Sequence, residues 1–174
     1  MYGNPRDIER LKPVIKLSAH KKFKKIKLIY CPPFTLLDQL NQKLKKTRIL
    51  IGAQNCHANS DYGPFTGSVN SKMIKSVGAK YVIIGHSENR SIDNNIDINK
   101  KIKSAIKEKL NIVFCVGETM KEKKKNLTYR VLKKQIFQGL KNIKNNTNIL
   151  IAYEPRWSIG TGKVPKNDDL LKTI

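Results

Sequence analysis

The sequence predicts an α/β protein in which strands and helices alternate around a parallel sheet. Five short apolar runs indicate strands, and segments with apolar residues at helical spacing separate them. Polar motifs follow several of the runs, as they do at the carboxyl ends of barrel strands. A doubly wound sheet and a (β/α)8 barrel both fit this alternation. No Gly-x-Gly-x-x-Gly follows an early run, so a dinucleotide-binding fold has no direct support.

Each strand is predicted from a run of apolar residues that Pro, Gly or polar residues interrupt. The last run is continuously apolar, so we expect its strand to be buried on both faces. The predicted strands are residues 26–31, 48–53, 81–85, 111–116 and 149–153.

The helices are predicted from apolar spacing and from residues that favour helix ends. Asn4 is expected to cap a first helix over residues 4–19, with Pro5 at its first position and Pro13 interrupting it. Gly78 is expected to stop a short helix in the left-handed conformation. The other predicted helices cover residues 34–46, 71–77, 92–106 and 127–143, with Ile92, Ile96, Ile102 and Ile106 on one face of the fourth.

Charge is the most unusual feature of the composition. The 174 residues carry 35 Lys and Arg against 13 Asp and Glu, a net charge of +22. A net charge this positive is typical of proteins that bind nucleic acids. However, most of the basic residues are lysines spread over nearly every predicted helix, which is typical of solvated surfaces. We therefore expect no specific nucleic-acid partner and no membrane partner, since no apolar run reaches the length of a span.

Three cysteines at irregular spacing argue against a disulfide framework and favour a reducing, cytoplasmic compartment. Cys56 and His57 are adjacent but have no paired ligands at zinc spacing, so we predict no metal site.

Two polar residues follow predicted strands at positions suited to chemistry. Glu154 ends the fifth apolar run, and Pro155 stops the strand because it lacks an N–H and fixes φ. His86 closes the third run. An ordinary strand and turn would explain Glu154 equally well, and a lone histidine is more often structural than catalytic.

The residues around both positions resemble the triosephosphate isomerase family. One stretch reads Ala152-Tyr153-Glu154-Pro155, then Trp157, then Ile159-Gly160-Thr161-Gly162, and the other is Tyr81-Val82-Ile83-Ile84-Gly85-His86-Ser87-Glu88. The resemblance implies a TIM (β/α)8 barrel without cofactor or metal. It also implies interconversion of dihydroxyacetone phosphate and glyceraldehyde 3-phosphate in glycolysis and gluconeogenesis, with a small phosphorylated triose as substrate.

The resemblance also assigns roles to individual residues. Glu154 would be the catalytic base, and His86 would polarise the substrate carbonyl as a neutral imidazole, as in this family. Gly160 would offer a backbone N–H to the substrate phosphate. Ser87, Glu88 and Cys115 would support the site, and the family's mobile lid would comprise Pro155, Trp157, Ile159, Thr161, Gly162 and Lys163.

A long loop over residues 54–67 contains a motif that resembles the dimer loop of the family, with Phe65, Thr66 and Gly67 at its tip. An exposed Gly-rich turn would need no partner. Three positions depart from the family: Arg156 replaces an apolar residue, Asn89 an arginine and Ser68 a glutamate.

The five predicted strands correspond to strands two to six of the barrel, and Met1 resembles the methionine directly after the first strand. We therefore expect residues 1–174 to form a single, incomplete barrel domain that lacks the first strand and the last two. We expect this fragment to be inactive alone and to be a homodimer when complete. The alternative is a noncatalytic basic remnant of a barrel that binds polyanions.

Overall fold

The computed structural model describes residues 3–144 and 148–173, so the prediction made for Met1 lies outside it. Five strands form one parallel sheet in which each strand pairs with the next along the chain. They are β1 (Ile29–Tyr30), β2 (Leu50–Ala53), β3 (Tyr81–Ile84), β4 (Asn111–Val116) and β5 (Ile149–Tyr153).

The strand order decides between the two predicted architectures. A doubly wound sheet reverses its order at a switch point, whereas a barrel continues in one direction. Here the order β1-β2-β3-β4-β5 never reverses. The strands therefore follow each other as in a (β/α)8 barrel.

The helices are α1 (Lys12–Ser18), α2 (Leu37–Leu44), α3 (Ser71–Ser76), α4 (Asn95–Lys107), α5 (Met120–Lys124), α6 (Thr128–Gly139) and α7 (Asn167–Thr173). Short 3-10 segments cover Pro5–Leu11, Lys21–Phe23, Phe34–Leu36 and Asn89–Ser91. Helix α5 was not predicted. A capping box fixes its start, because Thr119 and Glu122 each accept a hydrogen bond from the other's backbone N–H.

The core lies between the sheet and the helices that follow its strands. Apolar side chains from α2, α3 and α4 meet those of β2, β3 and β4 with almost no exposure to solvent. The members below 1% exposure are Leu40, Ala53, Ile74, Ala79, Val82, Ile98, Ile102, Ala105, Leu110, Ile112 and Phe114. Within the described ranges, no helix is both long enough and apolar enough to cross a lipid bilayer.

Local hydrogen bonds confirm two of the predicted helix ends. Asn4 accepts a hydrogen bond from the backbone N–H of Arg6 at the start of the first 3-10 segment. Gly78 follows the C-cap residue of α3 with a φ of +84°, and its N–H donates to Lys75 O at 3.0 Å. The prediction that Pro13 interrupts a long first helix was wrong in detail. A 3-10 segment comes first, and Pro13 lies in the opening turn of α1, where its missing N–H costs nothing.

Three predicted strands are shorter than expected. The prediction of residues 26–31 was wrong for residues 26–28 and 31. The basic run before the strand forms a 3-10 turn, and Ile26 N–H bonds to Phe23 O at 2.9 Å. Only Ile29 and Tyr30 pair with β2. The second strand begins at Leu50 and not at residue 48, and the third ends at Ile84 and not at residue 85, where Gly85 has a φ of +79°.

The predicted burial was wrong for two segments. Ile92 and Ile96 are 84% and 67% exposed, because α4 begins after its cap at Asn94 and buries Ile98 and Ile102. In β5, Leu150 is 52% exposed, which contradicts the expectation of burial on both faces. In the part of the chain that the structure describes, β5 pairs with β4 alone, so one of its edges is open.

Candidate active site

The site lies where β3, β4 and β5 end. These strands are parallel neighbours, so their carboxyl ends meet at one edge of the sheet. His86 follows β3 after one glycine, and Glu154 directly follows β5. The fold therefore brings together two side chains that are 68 positions apart in the sequence.

His86 and Glu154 are in direct contact. The Nε2 atom of His86 lies 2.7 Å from Oε1 of Glu154, and the backbone N–H of Ser87 donates to Oε2 of Glu154 at 2.8 Å. The His86 side chain is 30% exposed and that of Glu154 is 15% exposed. The carboxylate is thus held by two donors and is sheltered, while the imidazole remains open to solvent.

The surroundings of His86 define which nitrogen carries its proton. The backbone N–H of Glu88 donates to Nδ1 at 3.3 Å, and a backbone N–H cannot accept. Nδ1 is therefore the acceptor, which leaves the proton of a neutral imidazole on Nε2, facing Glu154. The carboxylate of Glu88 lies 3.7 Å from Nδ1 and is 77% exposed.

A close approach of two strand ends fixes the position of Glu154. Its backbone N–H donates to Val116 O at 2.7 Å, and a Cβ on Gly117 would lie only 1.8 Å from Glu154 O. Only glycine fits at position 117. The buried side chain of Gln135 holds this glycine on both sides, accepting from its N–H at 2.9 Å and donating to its C=O at 3.0 Å.

Arg90 joins the ends of β3 and β4. Its Nε donates to Gly85 O at 2.8 Å and its Nη2 donates to Cys115 O at 2.8 Å. The pKa of Arg90 is lowered to about 10, mainly by burial and also by the nearby positive charge of Arg156. Cys115 is buried, and burial raises the pKa of its thiol to about 12, so the thiol stays protonated.

The loop after Glu154 is anchored at its start. Glu118 is 1% exposed, and its carboxylate accepts from Trp157 Nε1 at 2.9 Å and from the hydroxyl of Tyr153 at 3.1 Å. The backbone N–H of Arg156 donates to Glu118 O at 3.0 Å. The Nζ atom of Lys123 lies 3.9 Å from the centroid of the Trp157 ring.

Glu118 is the residue that sequence reasoning missed. It directly follows Gly117 at the end of an apolar run, which is the same signal that identified Glu154. Its aromatic neighbours Tyr153 and Trp157 gave no indication that they would donate to one carboxylate.

The tip of the same loop is exposed, and the hydrogen bonds of Thr161 are made within the loop. Thr161 Oγ1 donates to Trp157 O at 2.9 Å, and its N–H donates to Ser158 O at 3.3 Å. Ile159 lines a cavity together with Ser87 and Glu88. Gly160, Gly162 and Lys163 are exposed and do not line it, and a Cβ on either glycine would meet no atom within 4 Å. Only the start of the predicted lid is therefore fixed near His86 and Glu154.

The predicted dimer loop lies apart from these residues. Phe65 packs on His57 with ring centroids 4.4 Å apart and is 40% exposed. Thr66 and Gly67 are also exposed. Across residues 3–144 and 148–173, no group of three or more His, Cys, Asp or Glu side chains could hold a metal ion.

Comparisons with known proteins agree with one another. A sequence model described as triosephosphate isomerase matches residues 1–174. The chain is similar to triosephosphate isomerase of Alkaliphilus oremlandii, with 40% identity over 164 residues that cover 92% of this chain and 65% of the relative. It is also similar to that of Carboxydothermus hydrogenoformans, with 44% identity over 143 residues that cover 80% of this chain and 57% of the relative.

A solved structure extends this similarity to three dimensions. The crystal structure of triosephosphate isomerase from Bartonella henselae superposes with a TM-score of 0.83 at 36% identity, covering 90% of this chain and 65% of that one. The five strands therefore form part of an incomplete TIM barrel. The chain spans less than two thirds of the length of these relatives.

Proposed function

Because the chain belongs to the triosephosphate isomerase family, we propose that it supplies the acid–base pair that interconverts dihydroxyacetone phosphate and glyceraldehyde 3-phosphate in glycolysis and gluconeogenesis. The observation that supports this most directly is the 2.7 Å contact between His86 Nε2 and Glu154 Oε1. It joins a general base and a proton donor at the carboxyl edge of a barrel sheet, where barrel enzymes have their active sites.

Glu154 is the proposed base. Both of its carboxylate oxygens are occupied by donors, one from His86 and one from Ser87. A substrate that enters the site must replace the contact with His86. The carboxylate then faces the substrate and can move a proton between the two adjacent carbons.

His86 is the proposed electrophile. Its Nε2–H points at the site and can be donated to a substrate oxygen, while its Nδ1 is kept occupied by Glu88 N–H. As carbon loses its proton, negative charge grows on that oxygen. A hydrogen bond that is already oriented toward this charge stabilises the enediolate without reorganisation.

The loop after Glu154 is the proposed lid. It would close over the substrate with Gly160 donating its backbone N–H to the phosphate, and Pro155 and Trp157 would remain at the anchored end. Closure excludes water, which strengthens the electrostatic interactions inside and protects the intermediate. Ser87, Glu88 and Cys115 would support the site.

We also infer the context in which this chemistry takes place. Residues 1–174 would form one partial barrel domain, and the exposed tip at Phe65, Thr66 and Gly67 would contact a second subunit in a homodimer. Because Cys56 and Cys115 are buried free thiols, we place the protein in the cytoplasm. The alternative of a noncatalytic polyanion-binding remnant is not favoured, because the family model and the relatives that match this chain are triosephosphate isomerases.

The test uses an extended protein, in which residues 1–174 are joined to the remaining barrel segments of the Alkaliphilus oremlandii relative. We expect Glu154→Asp to lower kcat about 100-fold with little change in KM, because a misplacement of about 1 Å costs that much. Glu108→Asp is the matched control, since Glu108 follows α4 at the opposite edge of the sheet. Near-normal turnover of Glu154→Asp would remove Glu154 from the role of base.

The chain without the added segments provides a second comparison. We expect it to show no measurable isomerisation, because the described sheet has two open edges and so does not enclose the site as a closed barrel does. Activity close to that of the extended protein would contradict this expectation.

A further inference from the structure

Arg156 is the one charged residue between Glu154 and Lys163 in the proposed lid. It lies in the first turn after Glu154 and is partly buried. A cavity of about 280 Å³ opens beside it, lined by Ser87, Glu88, Thr119, Met120, Arg156, Trp157 and Ile159. Arg156 is thus part of the wall of a cavity that borders the candidate active site.

The guanidinium of Arg156 is not neutralised by a neighbour. Within the described ranges, no ion pair joins Arg156 to a carboxylate, although Glu88 lines the same cavity and Glu118 accepts a backbone hydrogen bond from Arg156. The carboxylate of Glu118 already accepts hydrogen bonds from Trp157 and Tyr153. Glu88 lies in the cavity wall but is exposed to solvent near His86. Five N–H donors of Arg156 therefore lack a strong acceptor.

A second, independent observation comes from Ser87. This residue is 8% exposed and lines the same cavity, and its hydroxyl has no hydrogen-bond partner. It is the one buried side-chain polar atom without a partner among the described residues. An unpaired buried hydroxyl is costly, so such a group indicates a partner that binds from outside the chain.

The electrostatic surroundings favour an anion. Lys123 lies over the Trp157 ring on the cavity wall, and Arg90 and Arg156 are close enough for the charge of one to lower the pKa of the other. Three carboxylates oppose this field, but hydrogen-bond donors of the chain engage those of Glu154 and Glu118, and that of Glu88 is 77% exposed to solvent. Arginine binds phosphate oxygens in pairs, which makes it well suited to a tetrahedral oxyanion.

We propose that this cavity binds a phosphate group, held by the guanidinium of Arg156 and the hydroxyl of Ser87. Its ligands, Arg156 and Ser87, differ from the backbone N–H proposed for Gly160, which does not line this cavity. It does not depend on isomerisation, so it can be tested in the chain as it is. The phosphate can come from free inorganic phosphate or from a phosphorylated three-carbon ligand.

The test follows the emission of Trp157, which is the chain's single tryptophan and lines the cavity. Inorganic phosphate and glycerol 3-phosphate, which has no carbonyl to isomerise, are titrated separately at constant ionic strength. We expect saturable changes in emission. Arg156→Gln should weaken binding about tenfold, and Ser87→Ala should weaken it less, because a charged hydrogen-bond donor contributes more than a neutral one. Far-UV circular dichroism confirms that each variant keeps the parent's fold.

Arg130→Gln is the matched control, since Arg130 is exposed on α6 and its loss removes the same charge. Unchanged binding in this control supports the site. Saturation with inorganic phosphate alone assigns the site to the free anion, whereas competition between the two ligands assigns it to phosphate groups of either source. Equal weakening in Arg130→Gln and Arg156→Gln, or a change in emission that never saturates, would overturn the proposal.

Discussion

Replacing Gly117 by alanine tests how closely the ends of β4 and β5 determine the position of Glu154. A Cβ at this position would lie 1.8 Å from Glu154 O, whereas ordinary van der Waals contact begins at 3.4 Å. The two backbones must therefore separate by about 1.6 Å. Gln135 holds Gly117 through both backbone groups, so the displacement falls largely on Glu154.

This displacement predicts two measurable effects. In the extended protein, kcat should fall by about 100-fold or more, because Glu154 moves by more than the roughly 1 Å that costs this factor. The free energy of unfolding should also fall by about 1–3 kcal/mol, as is typical of overpacking in a tight site. Isomerase assays measure the first effect, and urea unfolding followed by circular dichroism measures the second.

Gly63→Ala is the control for the same chemical change. A Cβ there would meet only the ring edge of Phe65, at 3.0 Å, and that side chain can move. We expect little change in kcat or in unfolding. If Gly117→Ala also left both quantities unchanged, the ends of β4 and β5 could not be as close as described, and the reasoning would be refuted.

Three further predictions concern the lid, its anchor and the thiols. Deleting residues 159–162 from the extended protein should raise the ratio of phosphate-eliminated product to isomerised product, because an open site admits water; an unchanged ratio would make the loop a connector. Glu118→Ala should lower the free energy of unfolding by about 1–3 kcal/mol, because the buried Trp157 N–H loses its acceptor; an unchanged urea midpoint would contradict this. Burial raises the pKa of Cys56 and Cys115 from 9.0 to about 12, so the native thiols should resist a thiol reagent until urea unfolds the chain. Their contribution to the free energy of unfolding should decrease as pH rises from 9.0 toward 12, because the unfolded thiols lose their protons first. Full labelling of both thiols in the native chain would contradict this burial.

Much of the architecture could be predicted because each strand end carries a strong local signal. The bounds of β4 and β5 were predicted to the residue, since apolar β-formers are followed there by Gly117 and Glu154. The first strand was not, because the charge pattern of residues 20–25 says nothing about a 3-10 turn. Ile92 and Ile96 misled the helix prediction because the side chain of Asn94 caps α4 and sets which face it buries.

The contents of the candidate site were predictable only in part. Parallel strands bring His86 and Glu154 to one edge, so their proximity follows from topology alone. The anchoring of Trp157 on Glu118 depends on side-chain directions across two strands, and no sequence pattern contains that information. The orphan hydroxyl of Ser87 is likewise visible only once its surroundings are packed.

The two edges of the described sheet differ in a way that bears on handling and engineering the protein. At one edge, β1 pairs with β2 through two residues only, so it has few backbone groups to which a strand of another chain could bind. At the other, β5 extends over five residues, with Leu150 and Ile151 about half exposed. Long, flat, apolar edges are where chains associate, whereas very short ones are protected. Self-association should therefore proceed through β5. Replacing Leu150 or Ile151 by lysine would give a variant that associates less.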